Sequence, residues 1–585
     1  MPDPMDYEAI HATLTAPGQP FEVEIADVRG VPTRAWKNAP RTLTAALAHG
    51  AAIGDARDLL VLDAERISHA AHADMVERCA AALSEVGVSK GDRVAIAMRN
   101  YPEWSIAFFA AVRIGAIAVA INAFGTGNEL ALAIADADAR VVVADGERLE
   151  RLAGEPDALA GRVVIGTRLD DRKAHRDLPP RVVPFATVLD HAADVPAIDL
   201  EPDDFATIFY TSGTSSRPKG VLGTHRNICG NLMSMMFIGA RNMLREGAHP
   251  SPRAPGAGLL SVPLFHATGC HGMLVGQAFF GGTLVFMRRW DPEEALEIIE
   301  RERIAAFGGV PTMLWDLLQS PSIETRDLTC LRNFAGAGAA SPPELARRIH
   351  ELFPDAGIST GYGMTETSSV VATIGGRDYV ERPDSVGVPL PMSVLRIVDA
   401  DGSDVPEGST GEIWVKSANV AAGYWRRPEE TSETFDQGWI HTGDIGRLDG
   451  EGFLYVVDRA KDIVIRGGEN IATLEVEAAL YEHPAVEEVA AFATPHPTLG
   501  EEVGAVVRTR ADASVTPNDL REHAADRLAA HKVPSRVWLR ERAFPRGHTG
   551  KILKRELQAE YVAFVVPATD LATPGSSVAE EDARP

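Results

Sequence analysis

The sequence predicts an α/β protein in two parts. A large N-terminal domain carries two helix-flanked sheets and a β-rich subdomain, and a small α+β domain follows it. Three observations carry that expectation. Helical and strand patterns alternate from Thr42 to Ala144 and resume after Thr224, the order that builds parallel sheets covered by helices. The strands in between are apolar without polar alternation, as strands buried on both faces are. The texture then changes twice, to short strands and turns over residues 385–415 and to a compact mixed unit near Asp458.

Taken in order, residues 1–40 are polar and expected to be irregular, wrapping the surface as an N-terminal extension. A helical run over residues 75–86 ends at Gly87, and the Gly91-Asp92 turn opens a strand over 93–98. Helices over 103–113 and 128–137 feed strands over 117–121 and 140–144. The most apolar stretch, 106–124, is interrupted by Arg113, Gly115 and Asn122. It reads as a buried helix, a turn and a buried strand instead of a membrane span. The second set has a helix after Thr224, strands over 258–262 and 283–286, and a helix over 292–301 that Asp291 can cap. An apolar segment over 304–310 follows it. Turns at Asp399-Ala-Asp-Gly402 and Pro406-Glu-Gly408 punctuate the β-rich part. Thr516-Pro-Asn-Asp519 starts a helix with a hydroxyl cap, Pro at its first position and an acid in its first turn. Strands over 486–492 and 503–508 complete the small unit, and an Ala/Ser/Glu/Pro-rich tail over 567–585 is expected to be disordered.

Composition bounds the function. The chain has 585 residues, 45% hydrophobic and 24% charged, an ordinary globular balance too long for one core. A formal charge of −25 argues against nucleic acid or an anionic membrane as the main partner. Any anion site must therefore be built from local groups. Cys79, Cys229, Cys270 and Cys330 are scattered without metal-ligand spacing and fit thiols in a reducing compartment. The acidic N-terminus lacks the apolar core of a signal peptide, so the expected location is the cytoplasm.

One stretch concentrates chemistry. Tyr210-Thr-Ser-Gly-Thr-Ser-Ser-Arg-Pro-Lys-Gly220 follows an apolar run and offers backbone N–H groups, hydroxyls and cations at one point. Those groups hold polyphosphates. It is not a Walker A loop, since Pro218 precedes Lys219 and Gly220 follows it. Further on come Ser359-Thr-Gly-Tyr-Gly-Met-Thr-Glu-Thr367, Trp439-Ile-His-Thr-Gly-Asp444, Arg459-Ala-Lys-Asp462, Ile465-Arg-Gly-Gly-Glu-Asn470 and Pro545-Arg-Gly-His-Thr-Gly-Lys-Ile552.

In this order, these segments resemble the adenylate-forming superfamily of acyl-CoA synthetases, peptide-synthetase adenylation domains and luciferases, over residues 40–560 or so. The resemblance implies an AMP-binding domain over 41–460 and a mobile C-terminal lid over 461–566. It also implies ATP, Mg2+ and coenzyme A as cofactor and co-substrates of a carboxylic acid–CoA ligase acting through an acyl-adenylate. Thr211, Ser212, Gly213, Thr214, Ser215 and Lys219 would hold the β- and γ-phosphates. Tyr362, between Gly361 and Gly363, would stack on adenine, and Gly338 would border the nucleotide. Thr365 would contact the α-phosphate and Glu366 would bind Mg2+. Asp444 would take the ribose hydroxyls with help from Arg459. Lys551 would stabilise the charge built up between carboxylate and phosphate. Lys461 matches the hinge, whose rotation would withdraw Lys551 and present Arg466, Gly467 and Gly468 to the pantetheine arm. A hairpin turn explains the two glycines nearly as well.

The acid is expected to be apolar: fatty, branched or arylalkanoic. Amino-acid-adenylating relatives hold the ammonium with a carboxylate just after the segment Leu264-Phe-His-Ala-Thr-Gly269, yet residues 264–286 contain no Asp or Glu. His266 is then either a gate between acyl pocket and CoA tunnel or a satisfied core histidine. Gly309, Gly336 and Ala337 leave room for the acyl group. Two departures stand out: Ser215-Ser216 replaces a usual glycine, stiffening the phosphate loop, and Gly336-Ala-Gly-Ala339 has alanine where a second glycine is common. Transfer to a carrier protein, oxidation as in luciferases, and a non-catalytic nucleotide-binding regulator are the competing readings. Too few residues follow the lid to fold a carrier domain. A homodimer is the assembly left open.

Overall fold

Polar caps start the helices that cover the sheets. In the structure, a computed structural model describing residues 6–169, 182–192, 194–211, 218–248, 256–336, 338, 343–510, 513–547 and 552–562, Thr224 and Asn227 form a reciprocal capping box on His225–Arg245. Thr126 with Glu129 and Thr516 with Asp519 do the same for Gly127–Ala137 and Pro517–Ala525. Asp291 accepts the amide of Glu294 ahead of Pro292–Arg301. Each cap satisfies amides that the first turn leaves orphaned, worth about 1 kcal/mol.

The chain divides into two compact units, Met1–Val456 and Val457–Pro585. In the first, one sheet runs in the order Gly423–Tyr424, Lys219–Thr224, Phe205–Thr211, Ile117–Ala120, Arg93–Ala97, Val141–Asp145, Val163–Thr167, Val182–Pro184. It is parallel from Phe205–Thr211 onward and antiparallel at the Gly423 edge. A second sheet is ordered Val388–Pro389, Ala372–Gly375, Gly357–Tyr362, Asn333–Gly336, Ile304–Gly309, Ala257–Leu260, Thr283–Phe286, Asp58–Leu62, Glu65–Ser68, parallel except at its two ends. Helices Leu43–Gly54, His69–Glu85 and Pro102–Arg113 share one core with both sheets. Trp104, Phe108 and Phe109 are fully buried there, each contributing about 2–3 kcal/mol. The apolar stretch 106–124 is thus a core helix and strand, and among the described residues no helix is long and apolar enough to cross a membrane. A third, antiparallel sheet contains Val394–Val398, Gly411–Lys416, Trp439–Leu448 and Phe435–Asp436. Leu454–Arg459 pairs with Trp439–Leu448.

The first forty residues depart from expectation. They form a helix, Tyr7–Thr15, and a hairpin, Val23–Val28 with Val31–Trp36. Ile10, Phe21 and Trp36 are buried, and Trp36 Nε1 donates to Ser234 Oγ at 3.0 Å on the helix His225–Arg245. The strand expected to reach Val262 stops at Leu260, and the apolar segment 304–310 contains the strand Ile304–Gly309. Val310 instead precedes the helix-opening Pro311, which excludes a continued strand.

The second unit is a five-stranded sheet: Glu469–Ile471, Val464–Arg466, Gly500–Thr509 and Val486–His496 in order, with Arg536–Leu539 on Gly500–Thr509. Val476, Leu480, Val489 and Leu520 close its core.

Candidate active site

Three small strand ends meet at the carboxyl edge of the second sheet. Gly309, Gly336 and Thr360 stand in register across Ile304–Gly309, Asn333–Gly336 and Gly357–Tyr362. Ligands of parallel α/β sheets bind at such ends. A Cβ on Gly309 would lie 3.1 Å from Met313 Sδ, and one on Gly361 would lie 3.0 Å from the Ala372 carbonyl. Gly338 takes φ +84°, a left-handed conformation that glycine adopts without strain. Ala337 lies outside the described residues.

Beyond Tyr362 the chain folds back so tightly that a Cβ on Gly363 would overlap the Ser369 carbonyl at 1.5 Å. A single turn of 3₁₀-helix, Thr365–Thr367, follows, and Ser368 is held left-handed at φ 57°. Strained backbone of this kind collects at ligand sites. The turn carries half-buried Thr365 and buried Glu366. Tyr362 is 9% exposed and its hydroxyl donates to Asp444 Oδ2 at 2.8 Å. Asp444 is 5% exposed on Trp439–Leu448, and its amide donates to Thr442 Oγ1 at 3.1 Å.

Glu366 is 7% exposed. Its backbone carbonyl accepts the Ala421 amide at 2.8 Å, and its Oε1 accepts the Tyr424 hydroxyl at 3.0 Å. Lys219 Nζ stands 4.9 Å from the Tyr424 ring centroid, within cation–π range. Burial, then the facing Glu366 carboxylate, pushes the Tyr424 phenol above its ordinary pKa, so it donates at neutral pH. The strand Gly423–Tyr424 pairs with Lys219–Thr224, which is what places Tyr424 between carboxylate and lysine.

The stems of the phosphate loop are anchored. Thr211 pairs with Lys219, and the Tyr210 hydroxyl donates to Asp136 Oδ2 at 2.8 Å. Ser212, Gly213, Thr214 and Ser215 lie outside the described residues.

His266 is half-buried, its ring 4.5 Å from that of Phe265, just before a π-helical turn at Thr268–Leu274. Such turns mark functional positions. Asn100 fixes the segment: its Oδ1 accepts the Leu264 amide at 2.9 Å, and its Nδ2 donates to the carbonyls of Val262 (3.2 Å) and Met287 (3.3 Å).

The remaining candidates belong to the second unit. Arg459 ends Leu454–Arg459, its amide donating to Asp458 Oδ1 at 2.8 Å, and Lys461 is exposed on the following turn. Arg466 pairs with Glu469 across a two-residue hairpin turn in which Gly467 has φ 61° and Gly468 has φ 93°. Positive φ at both positions favours glycine on the turn's account alone. Lys551 lies outside the described residues.

Tyr424 and Asn100 are the site residues that sequence reasoning missed. The aromatic pair Tyr424-Trp425 after Gly423 was the available signal for the first, and Asn100 offered none.

Comparison with known proteins agrees with the geometry. Residues 49–425 match the family described as AMP-binding enzyme, and residues 475–551 match the AMP-binding enzyme C-terminal domain. A feruloyl-CoA synthase from Amycolatopsis is 36% identical over 83% of this chain and 92% of its own length. A long-chain-fatty-acid–CoA ligase from Mycobacterium tuberculosis is 32% identical over 86% of this chain and 94% of its own. The structure of o-succinylbenzoate CoA synthetase from Bacillus subtilis with its acyl-adenylate intermediate superposes with a TM-score of 0.74, at 28% identity, over 88% of this chain and 97% of that one.

Proposed function

Because this chain belongs to the AMP-binding enzyme family, we propose that it is an ATP-dependent carboxylic acid–CoA ligase of the AMP-forming type, acting on an apolar acid. The observation that carries this reading is the paired arrangement at the strand ends. Tyr362 bonds Asp444, and four residues on, Glu366 bonds Tyr424 beside Lys219. An aromatic face and a carboxylate able to take a diol, together with a second carboxylate and a cation, support reading these residues as an adenine-nucleotide site.

The chemistry has two steps. A carboxylate oxygen attacks the α-phosphorus of ATP and pyrophosphate leaves, giving an acyl-adenylate. The thiol of coenzyme A, losing its proton, then attacks the acyl carbon and AMP leaves, giving the thioester. In the first step two anions approach, so the residues must supply cations and hold an in-line geometry. Lys219 and the loop that it closes hold the leaving phosphates, Thr365 orients the α-phosphate, and Lys551 bridges carboxylate and phosphate. Asp444, already holding one hydroxyl, takes the ribose diol with Arg459. A buried single carboxylate beside a phosphate-binding lysine fits Mg2+ carried in with the nucleotide: Glu366 would hold the ion with phosphate oxygens, where it supplies positive charge. For the second step, the Lys461 hinge, His266 and the Arg466-Gly467-Gly468 turn serve CoA entry.

The acid is read from what is missing around it. Residues 264–286 offer no carboxylate to an ammonium group, whose unpaired burial would cost several kcal/mol. Gly309 and Gly336 bring only backbone to the strand ends. Relatives named for an aromatic acid and for long-chain fatty acids fit an apolar pocket. Scattered cysteines without metal-ligand spacing support a reducing, cytoplasmic location.

The test is a comparison of half-reactions. Lys551→Ala is expected to lose pyrophosphate release from ATP and acid by about 10²-fold or more, while thioester formation from preformed acyl-adenylate stays near the parent rate. Equal loss of both steps would contradict the two-conformation account.

A further inference from the structure

The second unit contains a buried ionic network that the reaction scheme leaves unused. Lys554 Nζ donates to Glu477 Oε1 at 2.7 Å and to Thr473 Oγ1 at 2.9 Å, with only 22% of the lysine side chain exposed. Thr473, fully buried, gives its hydroxyl (2.8 Å) and its amide (2.5 Å) to Asp458 Oδ2. Glu477 Oε1 also accepts the Ala491 amide at 2.7 Å. One chain of contacts therefore runs from Asp458, next to Arg459 and the hinge lysine, through Thr473 to Lys554. Burial opposes the charge on Lys554, yet Glu477, Asp458 and Asp462 offset it and hold the ammonium above the ordinary lysine pKa.

Lys554 opens the helix Lys554–Val562 three positions after Lys551 in the sequence. On the other side of Lys551, Arg546 pairs with Ile552 in an isolated antiparallel bridge, and the Leu553 amide donates to the Pro545 carbonyl at 2.9 Å. Arg546 itself pairs with the buried carboxylate of Glu488. Both flanks of residues 547–551 are thus tied into the interior of the unit. Desolvating a lysine and a glutamate is costly, and an apolar pair of similar volume often holds a fold as well. What the ionic pair adds is direction: each hydrogen bond fixes where the end of the helix stands relative to Thr473 and Asp458.

We propose that Lys554 is a positioning residue for adenylation, anchoring the end of the segment that carries Lys551 and linking it through Thr473 to Asp458 at the hinge. This rests on the assignment of Lys551 to the adenylation step. Lys554 is held by Glu477 and Thr473 inside the second unit. It acts through where Lys551 is placed, and a misplacement of 1 Å can cost on the order of 10²-fold in rate.

The test uses the full-length enzyme and the double variant Lys554→Met/Glu477→Gln. It removes both charges together and keeps the acceptor for Ala491. The double variant is expected to melt cooperatively and to bind ATP with unchanged KM. Its kcat for pyrophosphate release is expected to fall about 10- to 100-fold, with thioester formation from preformed acyl-adenylate within about threefold of the parent. Lys554→Arg, which keeps charge and reach, should restore most of the adenylation rate. Should the double variant fail to fold, Glu477→Gln alone is read by the same ratio of half-reactions. Parent-like adenylation in a folded variant, or both half-reactions lost in equal proportion, overturns the proposal. Lys551→Ala run alongside separates the two levels: if it keeps adenylation, the assignment of Lys551 itself is wrong and both fall; if it loses adenylation while the Lys554 variants keep it, only the positioning role falls.

Discussion

Glu366 carries the most chemistry per atom in the first unit. Its Oε1 is held by the Tyr424 hydroxyl at 3.0 Å, and the same ring faces Lys219. Tyr424→Phe keeps the ring and removes only the hydrogen bond to a charged group, worth about 1.5–3 kcal/mol. The Mg2+ concentration for half-maximal pyrophosphate release is expected to rise about tenfold, with ATP binding to the Mg2+-free enzyme unchanged in calorimetry. An unaltered Mg2+ dependence would remove Tyr424 from the metal's surroundings. Glu366, Tyr362 and Asp444 were candidates from the sequence because each sits in a short glycine-bearing segment, and those segments in order resemble the adenylate-forming superfamily. Tyr424 was not, because its importance lies in two contacts, to Glu366 and Lys219, that only the edge pairing of Gly423–Tyr424 creates. Asn100 was hidden for the same reason, since all three of its partners come from the second sheet and its flanking loops.

At the scale of elements, the hairpin at Gly467-Gly468 separates two explanations. Both residues have positive φ, so any side chain there strains the turn, while a Cβ on Gly468 meets nothing within 4 Å. Gly468→Ala and Gly468→Trp therefore share the strain and differ in bulk. Adenylation is expected to survive in both, and thioester formation to be blocked by tryptophan alone. Equal slowing by the two would leave the turn as the whole reason for the glycines. The N-terminal hairpin teaches the converse lesson. Its short strands intersperse Glu24, Asp27, Thr33 and Arg34 among apolar residues, and Trp36 and Phe21 become core only because Phe237, on a helix far along the chain, packs with them. Helix starts were readable to the residue at Thr224, Asp291 and Thr516, because a cap is a local bargain between one side chain and the next three amides. Trp36→Ala is expected to cost about 3–5 kcal/mol in denaturant unfolding of the first unit. A change under about 1 kcal/mol would mean that the hairpin is a dispensable strap.

Over the whole molecule, buried neutral histidines set the acid limit. Burial lowers His72 to about 3, and His225 and His271 to about 4. The His225 Nδ1 accepts the Leu43 amide at 3.2 Å, a bond that only the unprotonated ring can make. Because the folded values lie below the unfolded one, the unfolded chain binds more protons between about pH 4 and 6.5, and stability rises with pH across that window. The melting temperature is expected to fall steadily below about pH 6.5. Replacing His225 by Gln should flatten that slope, and a flat profile in the parent would contradict the burial account. The alternating α/β order was legible along most of the chain because apolar strands and periodic helices repeat. What stayed hidden is how strand ends far apart in sequence, at Gly309, Gly336 and Thr360, come into register. That is a property of the assembled sheet.

The central claim is that one site spends ATP to join an acid to CoA. It is tested most directly by incubating the enzyme with ATP, Mg2+ and a panel of aromatic, branched and long-chain acids, with and without CoA, and following pyrophosphate, AMP and thioester together. Pyrophosphate is expected to appear in a burst near one equivalent per enzyme without CoA. With CoA it should turn over continuously with equal amounts of AMP and acyl-CoA, for apolar acids and not for amino acids. Pyrophosphate release that CoA leaves unchanged, or no nucleotide consumption with any apolar acid, would contradict it.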